Sequence, residues 1–222
     1  RSLRRVPTPE GFRTEKLKTA YARNSSSFTD DASVYLTLYD DAKAVDGDVK
    51  NVKITRFSDL ETSLYRSGIG IDTHKLVENR KLVLGGVEIP FEKGLLGHSD
   101  ADVLTHAVMD AILTAIGERD IGVLFPDTDE KYKGISSMLL LKEVLSRLDM
   151  RGYVVKFVSA TVACQRPKLN PYFDKIRTSL SHALSICKDN LSLAFTTTEG
   201  LGLVGAGDGI SVIASATVVA KQ

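Results

Sequence analysis

Ser67-Gly68-Ile69-Gly70-Ile71-Asp72-Thr73-His74 is a short apolar run ending in an Asp-x-His pair, and the rest of the chain is read outward from it. In an extended strand successive side chains alternate faces, so Asp72 and His74 point the same way. A carboxylate oxygen and an imidazole nitrogen so placed can grip one metal ion. Downstream come His98-Ser99-Asp100-Ala101-Asp102 and, one helical turn past Asp102, His106. Asp72, His74 and His106 would give three protein ligands with a fourth position open, the arrangement of a catalytic rather than a structural zinc. Without His106, the pair fits a strand-end turn with a half-buried histidine equally well.

C-terminal to this strand, Lys81–Pro90 reads as a hairpin, because Gly85-Gly86 supplies the positive φ of a tight two-residue turn. A Gly-flanked loop, Glu92–Gly97, leads to a helix whose start carries Ser99 followed by Asp102, a capping-box pattern. Val103, Leu104, Ala107, Val108, Ala111, Ile112 and Ala115 mark its buried face, and Asp102, His106 and Asp110 form one polar stripe beside it. Ser136–Met150 reads as an amphipathic helix and Tyr153–Ala163 as a buried strand. Asn170 and Pro171 open a helix reaching about Lys188, and Leu191–Thr197 and Ile210–Ala220 are the last strands. The order predicts an α+β domain over residues 64–222, a mixed four-stranded sheet with helices on one face plus a hairpin.

Residues 1–63 read as an N-terminal extension. Its arginines and serines (Arg1, Arg4, Arg5, Arg13 and Arg23 among them) point to a targeting remnant or a disordered arm. That makes a plastid-like organelle the expected location, and the cytoplasm otherwise. Beginning with Arg1 rather than Met, the chain reads as a processed form or a fragment. Val34–Tyr39 and Val52–Phe57 are β-prone and predict an accessory hairpin. An apolar content of 43% allows a real core, while a net charge of +1 gives no electrostatic reason to expect nucleic acid or a membrane surface. No apolar run approaches the roughly 18 residues of a membrane span. Cys164 and Cys187 make no disulfide framework.

Further chemistry is spread along the chain. The start of the Ser99 helix is a natural anion site, since free N–H groups and the dipole favour phosphate. Thr196-Thr197-Thr198-Glu199 runs into the glycine-rich segment 200–209 and could hold phosphate oxygens with a hard cation such as Mg²⁺, although threonines in a strand are usually plain β-propensity. Lys168 offers one positive charge after Pro167.

Together these segments resemble the 2-C-methyl-D-erythritol 2,4-cyclodiphosphate synthase family, from about Arg66 to Lys221. The resemblance rests on Gly70–His74, Gly97–Ala107, Asp120-Ile121-Gly122, Phe125-Pro126-Asp127-Thr128-Asp129, Pro167-Lys168 and Thr196–Glu199, in that order. It implies zinc on Asp72, His74 and His106, and Mg²⁺ or Mn²⁺ on Glu199 with the substrate diphosphate. It places cytidine against Cys164, Gln165, Arg166, Pro167, Lys168, Leu169, Asn170, Thr196 and Thr197. The methylerythritol part would lie near Asp120–Gly122 and Phe125–Asp129, with His98 and Ser99 on a loop beside it. Thr73, Thr198 and Leu203 complete the implied substrate contacts, and His98 and Thr197 match positions assigned to transition-state stabilisation.

The implied reaction is attack of the substrate's 2-phosphate on its own β-phosphorus, which expels CMP and closes a cyclic diphosphate in the non-mevalonate isoprenoid pathway. The implied assembly is a homotrimer with active sites between subunits. The chain departs from the family pattern at Ala206, where arginine is usual, at Leu203, where an aromatic is common, and at Asn170, usually apolar. The first two lie in a loop the family places near the trimer axis, where an isoprenoid-like ligand can sit. Two other readings compete: a metal-dependent phosphohydrolase on the same ligands, and a non-catalytic module with a structural zinc closed by Cys164.

Overall fold

A computed structural model describes residues 11–24, 27–43, 45, 55 and 65–221. The chain divides into two compact units, residues 1–62 and 63–222.

In the first unit α1 (Thr14–Arg23) and α2 (Asp31–Tyr35) pack together and bury Ala20, Val34 and Tyr35. The Asp30 side chain accepts the Ser33 N–H and starts α2. Residues 34–39, expected as a strand, therefore form the end of a capped helix and a turn. Their aromatic residues pack locally instead, with the Tyr35 ring 5.1 Å from Phe12 and 4.9 Å from Tyr39. The expected partner strand Val52–Phe57 lies outside the described residues except for Thr55.

The second unit is built on β1 (Tyr65–Glu78), followed by β2 (Leu82–Leu84), β3 (Val87–Ile89) and β4 (Lys93–Leu95). Then come α3 (Val103–Ala115), α4 (Ile121–Leu124), α5 (Ser137–Met150), β5 (Tyr153–Ala163), α6 (Phe173–Ala183), β6 (Leu191–Thr196), α7 (Gly202–Gly205) and β7 (Gly209–Ala220). The sheet has five strands rather than the expected four, in the order β4-β1-β7-β5-β6. The extra strand is β4, read from sequence as loop; it is only 3 residues long and pairs with the end of β1, Leu76 opposite Leu95. Among the described strands only β5 and β6 run parallel, joined by the α6 crossover. The helix expected to reach Lys188 stops at Ala183, and Asn170–Tyr172 forms a separate 3-10 turn before it.

Helices cover one face: α3 lies on β1 and β7, α5 on β5, and α6 on β6. Ile69, Ile71 and Ile213 stand exposed on the other face. The seat of α3 is set by two glycines. A Cβ on Gly68 would lie 2.3 Å from the Ala111 oxygen, and one on Gly70 would lie 2.1 Å from the Ala107 oxygen. The helix backbone thus rests on the strand, with Ala107, Ala111 and Ala115 as the small residues of the contact. Sandwiched between sheet and α5, α3 is buried almost all round; Asp110 stays partly open and Thr114 is exposed.

Asp102, not Ser99, caps this helix. Its carboxylate accepts the Thr105 N–H and hydroxyl at 3.0 and 2.8 Å. It also takes the N–H groups of Gly85 and Gly86 at 2.9 and 2.7 Å, pinning the β2–β3 turn to the start of α3. Both glycines have positive φ, +58° and +74°, as the two-residue turn requires.

Candidate functional site

Gly68, Gly70, Asp72 and His74 share the inward face of β1. Because the glycines let α3 approach so closely, His106, next to Ala107, lands against the two polar residues. Asp72 Oδ2 lies 2.9 Å from His74 Nε2 and 3.1 Å from His106 Nδ1, and the two ring nitrogens are 3.3 Å apart. These three side chains form a group able to hold a metal ion. Asp102 and Asp110, expected on the same stripe, serve elsewhere: Asp102 is the cap, and Asp110 accepts the Ile121 N–H at 2.8 Å.

The donor chemistry fits a cation. His74 donates its Nδ1–H to the Leu96 carbonyl at 2.6 Å, so neutral His74 turns a lone pair inward. Asp72 has acceptors only. Burial pushes the Asp72 carboxyl up, but the adjacent His106 and His74 imidazoles overrule it and hold it well below the usual carboxylate range. Burial lowers His74, but Asp72 raises it above the ordinary imidazole value. Both shifts report a place that favours positive charge.

A second feature is a cleft of about 490 Å³ lined by Cys164, Gln165, residues 167–170 and residues 195–197. It contains most of the stretch implied to hold cytidine; Arg166 is not among its walls. Cys164 Sγ donates to the Arg166 carbonyl at 3.1 Å, and burial pushes the thiol up to about 11. Among the described residues it joins no metal-capable group, so the closed structural site with Cys164 as fourth ligand is not formed. Thr73 pairs with Ser211, Ser211 with Ala163, and Ala163 with Thr196. The trio and the cleft therefore sit at the same end of the sheet, about 14 Å apart across three strand spacings.

The other expected site residues are dispersed around these two centres. His98 Nε2 lies 3.2 Å from the Asp129 carbonyl, and the His98 carbonyl accepts the Gly134 N–H. The Ser99 hydroxyl lies 3.2 Å from His106 Nε2, and the Ser99 carbonyl accepts from Arg80. Asp120 caps α4, Gly122 is exposed, and Asp127 and Thr128 are open to solvent. Phe125 turns into the core, edge-on to Tyr132. Thr73 alternates to the outer face, where its hydroxyl meets Ser211 at 2.8 Å. Thr197 donates to Glu199 at 2.9 Å, and Glu199 is exposed with a φ of +51°, apart from the trio. Thr198 bonds the Leu201 carbonyl, and the Leu203 side chain covers Gly209. Asp100, Ser137 and the Leu96 carbonyl back the trio, and no local spacing in the sequence singles them out for that role.

Residues 65–219 match the model of the YgbB family, and residues 1–65 match that of 2-C-methyl-D-erythritol 4-phosphate cytidylyltransferase. A 2-C-methyl-D-erythritol 2,4-cyclodiphosphate synthase of Clostridium acetobutylicum is 57% identical over 146 residues, covering 66% of this chain and 94% of the relative. The solved structure of the bifunctional IspDF from Campylobacter jejuni is 35% identical with a TM-score of 0.69, over 93% of this chain; the chain spans only 58% of that protein. A CDP-bound structure of 2C-methyl-D-erythritol-2,4-cyclodiphosphate synthase is 39% identical, TM-score 0.64, over 68% of this chain and 98% of its own. The chain belongs to the YgbB family.

Proposed function

We propose that this chain is a 2-C-methyl-D-erythritol 2,4-cyclodiphosphate synthase, a phosphorus-oxygen lyase acting on 4-diphosphocytidyl-2-C-methyl-D-erythritol 2-phosphate. The observation that carries the reading is the convergence of Asp72, His74 and His106 at the sheet end that also carries the cleft. Zinc would sit on that trio, three protein ligands being the number of a catalytic zinc centre. Mg²⁺ or Mn²⁺ would sit on Glu199 with the diphosphate, since hard cations take oxygen ligands. When bound, such ions neutralise charge gathering on phosphate oxygens.

The chain's own share is positioning, which dominates phosphoryl transfer. The cleft holds the cytidine, with Lys168 towards the phosphates. Residues 120–122 and 125–129 flank the methylerythritol part, with Phe125 supporting that wall from the core. His98 and Thr197 stabilise the charge that develops as the 2-phosphate attacks and CMP departs. No protein nucleophile is needed. The CDP-bound relative supports a cytidine nucleotide as ligand.

A homotrimer is part of the reading. Ile69, Ile71 and Ile213, 64, 62 and 56% exposed on the bare sheet face, supply an apolar surface for subunit contact. Sites shared between neighbours would bring the trio of one copy to the cleft of the next. The arginine-rich leader has a second account besides targeting, as part of a cytidylyltransferase domain, and the match over residues 1–65 supports it. We adopt that account, because the bifunctional protein aligns with 93% of the chain.

³¹P NMR of the protein with Zn²⁺, Mg²⁺ and the diphosphocytidyl substrate tests the activity. CMP together with a cyclic diphosphate is the expected result. CMP or inorganic phosphate without cyclisation makes the protein a phosphohydrolase instead.

A further inference from the structure

The side chain that hands His106 to the trio is itself held by a chain of hydrogen bonds. His106 Nε2 lies 2.8 Å from Ser137 Oγ, and Ser137 Oγ lies 2.5 Å from Asp100 Oδ1. All of His106 but 7% of its surface is buried, and Ser137 is fully buried. The Asp100 carboxylate can only accept, so the Ser137 hydroxyl proton belongs to that bond. Ser137 then has only lone pairs left for His106, and a bare Nε2 facing them at 2.8 Å would meet repulsion. Asp72 Oδ2, 3.1 Å from Nδ1, competes for the ring proton from the other end. We infer that Asp100 and Ser137 are positioning residues that draw this proton towards Nε2 and so free the Nδ1 lone pair for a metal ion held with Asp72 and His74.

The start of α5 does not by itself require this bond. Ser136 caps that helix by accepting the Met138 N–H, and Asp100 accepts the Ser137 N–H at 3.0 Å through Oδ2 and the Asp102 N–H at 3.3 Å through Oδ1. The Oδ1–hydroxyl contact caps neither helix and leads to the histidine. Ser99 Oγ, 3.2 Å from Nε2 and 3.5 Å from Ser137 Oγ, can accept from the same Nε2–H, donate to Ser137 or donate to a bare Nε2, and only the last opposes the assignment. The trio thus has one imidazole fixed by a carbonyl, Leu96, and one fixed by a serine–carboxylate pair. Outer groups that orient metal-binding imidazoles in this way commonly change metal affinity 10–100-fold when removed.

This inference rests on reading Asp72, His74 and His106 as metal ligands. Its test uses the full chain, stripped of metal and titrated with Co²⁺, alongside ¹⁵N–¹H correlation of the histidine rings in the metal-free protein. Ser137→Ala is expected to weaken Co²⁺ binding 10–100-fold. Ser137→Thr keeps the hydroxyl and stays near the wild-type value. Asp100→Asn leaves one acceptor oxygen for two Ser137 donors, so it is expected to move His106 towards the Nδ1–H tautomer and to weaken Co²⁺ as Ser137→Ala does. Ser136→Ala, which damages the same helix start, lowers Tm and leaves Co²⁺ affinity unchanged. Wild-type affinity in both Ser137→Ala and Asp100→Asn would overturn the assignment, as would a His106 tautomer ratio that neither substitution moves. Failure of the wild type to take up any Co²⁺ would overturn the metal reading itself; the ring tautomer still decides the Asp100–Ser137 assignment.

Discussion

Asp72 and Asp102 are two carboxylates set against the same helix, and the chain surrounds them in opposite ways. Asp102, fully buried, meets four neutral donors from Gly85, Gly86 and Thr105. Burial nonetheless pushes its carboxyl up, the hydrogen bonds opposing but not overcoming it. Asp72 has two imidazoles as its inward partners, and it is held low. The first carboxylate is complete within the protein and holds a helix to a hairpin. The second stands among lone pairs and calls for a cation. Burial alone does not separate a structural acid from a functional one; the supply of neutral donors does.

The largest effect separates the two most sharply. His106→Ala and Asp72→Ala are expected to bring CMP release down to background while the protein stays folded and keeps its assembly state, as read by activity assay and light scattering. Asp102→Ala reverses the pattern: turnover per folded molecule persists, and the fold loses about 3 kcal/mol, because buried donors left without an acceptor cost about 1–3 kcal/mol each and partly relax. Thermal unfolding measures it. Turnover lost in both Asp72→Ala and Asp102→Ala at equal stability would erase the distinction.

Gly70→Ala tests how the strand delivers the trio. Its new methyl would meet the Ala107 carbonyl at 2.1 Å, so α3 must shift. A loss of about 1–3 kcal/mol is typical of such overpacking. Zinc affinity is expected to fall with it, since His106 moves with the helix. An unchanged Tm with unchanged zinc affinity would show that the helix does not rest on β1 as described.

A smaller effect follows from pH. In the metal-free protein the raised His74 contributes stability that is full below its unfolded value of about 6.5 and is lost as pH rises through its folded value. The lowered Asp72 contributes above about 3.9 and loses that share as pH falls through its folded value. The pair is therefore expected to stabilise most between about pH 4 and 6.5, and Asp72→Asn to flatten that plateau in a series of unfolding scans. Metal affinity runs the other way. Zinc must displace the His74 proton, so binding weakens as pH drops below the raised value.

The smallest expected effect is removal of residues 1–58, which leaves turnover in place because the trio and the cleft belong wholly to the second unit. A truncated protein that neither cyclises substrate nor binds zinc would tie the two units together functionally.

What the sequence made legible was whatever a local rule determines. Alternation along β1 put Asp72 and His74 on one face, and Gly85-Gly86 announced its turn. Most strands and helices of the second unit were found within a few residues. Contacts between distant segments were not readable. The 3-residue β4 exists only because β1 offers it an edge, and Ser99 lost the capping role because Asp102, three residues on, could also serve the hairpin turn. Val34–Tyr39 carries β-prone residues, yet the Asp30 cap and the packing of Val34 and Tyr35 make it a helix end and a turn. Thr73 shows the same alternation that exposed the ligands, working against its own assignment as a substrate contact. Asp100 and Ser137 are separated by 37 residues, and only the packing of α5 against α3 brings them to His106.

The most direct test of the central claim is turnover of the metal-stripped full chain during titration with Zn²⁺ at fixed Mg²⁺. CMP release is expected to rise linearly and to saturate at about one Zn²⁺ per chain, while Asp72→Ala stays inactive throughout and Asp102→Ala follows the wild-type curve in proportion to its folded fraction. Full turnover by the stripped protein, or saturation in Asp72→Ala, would contradict a metal-binding role for Asp72, His74 and His106.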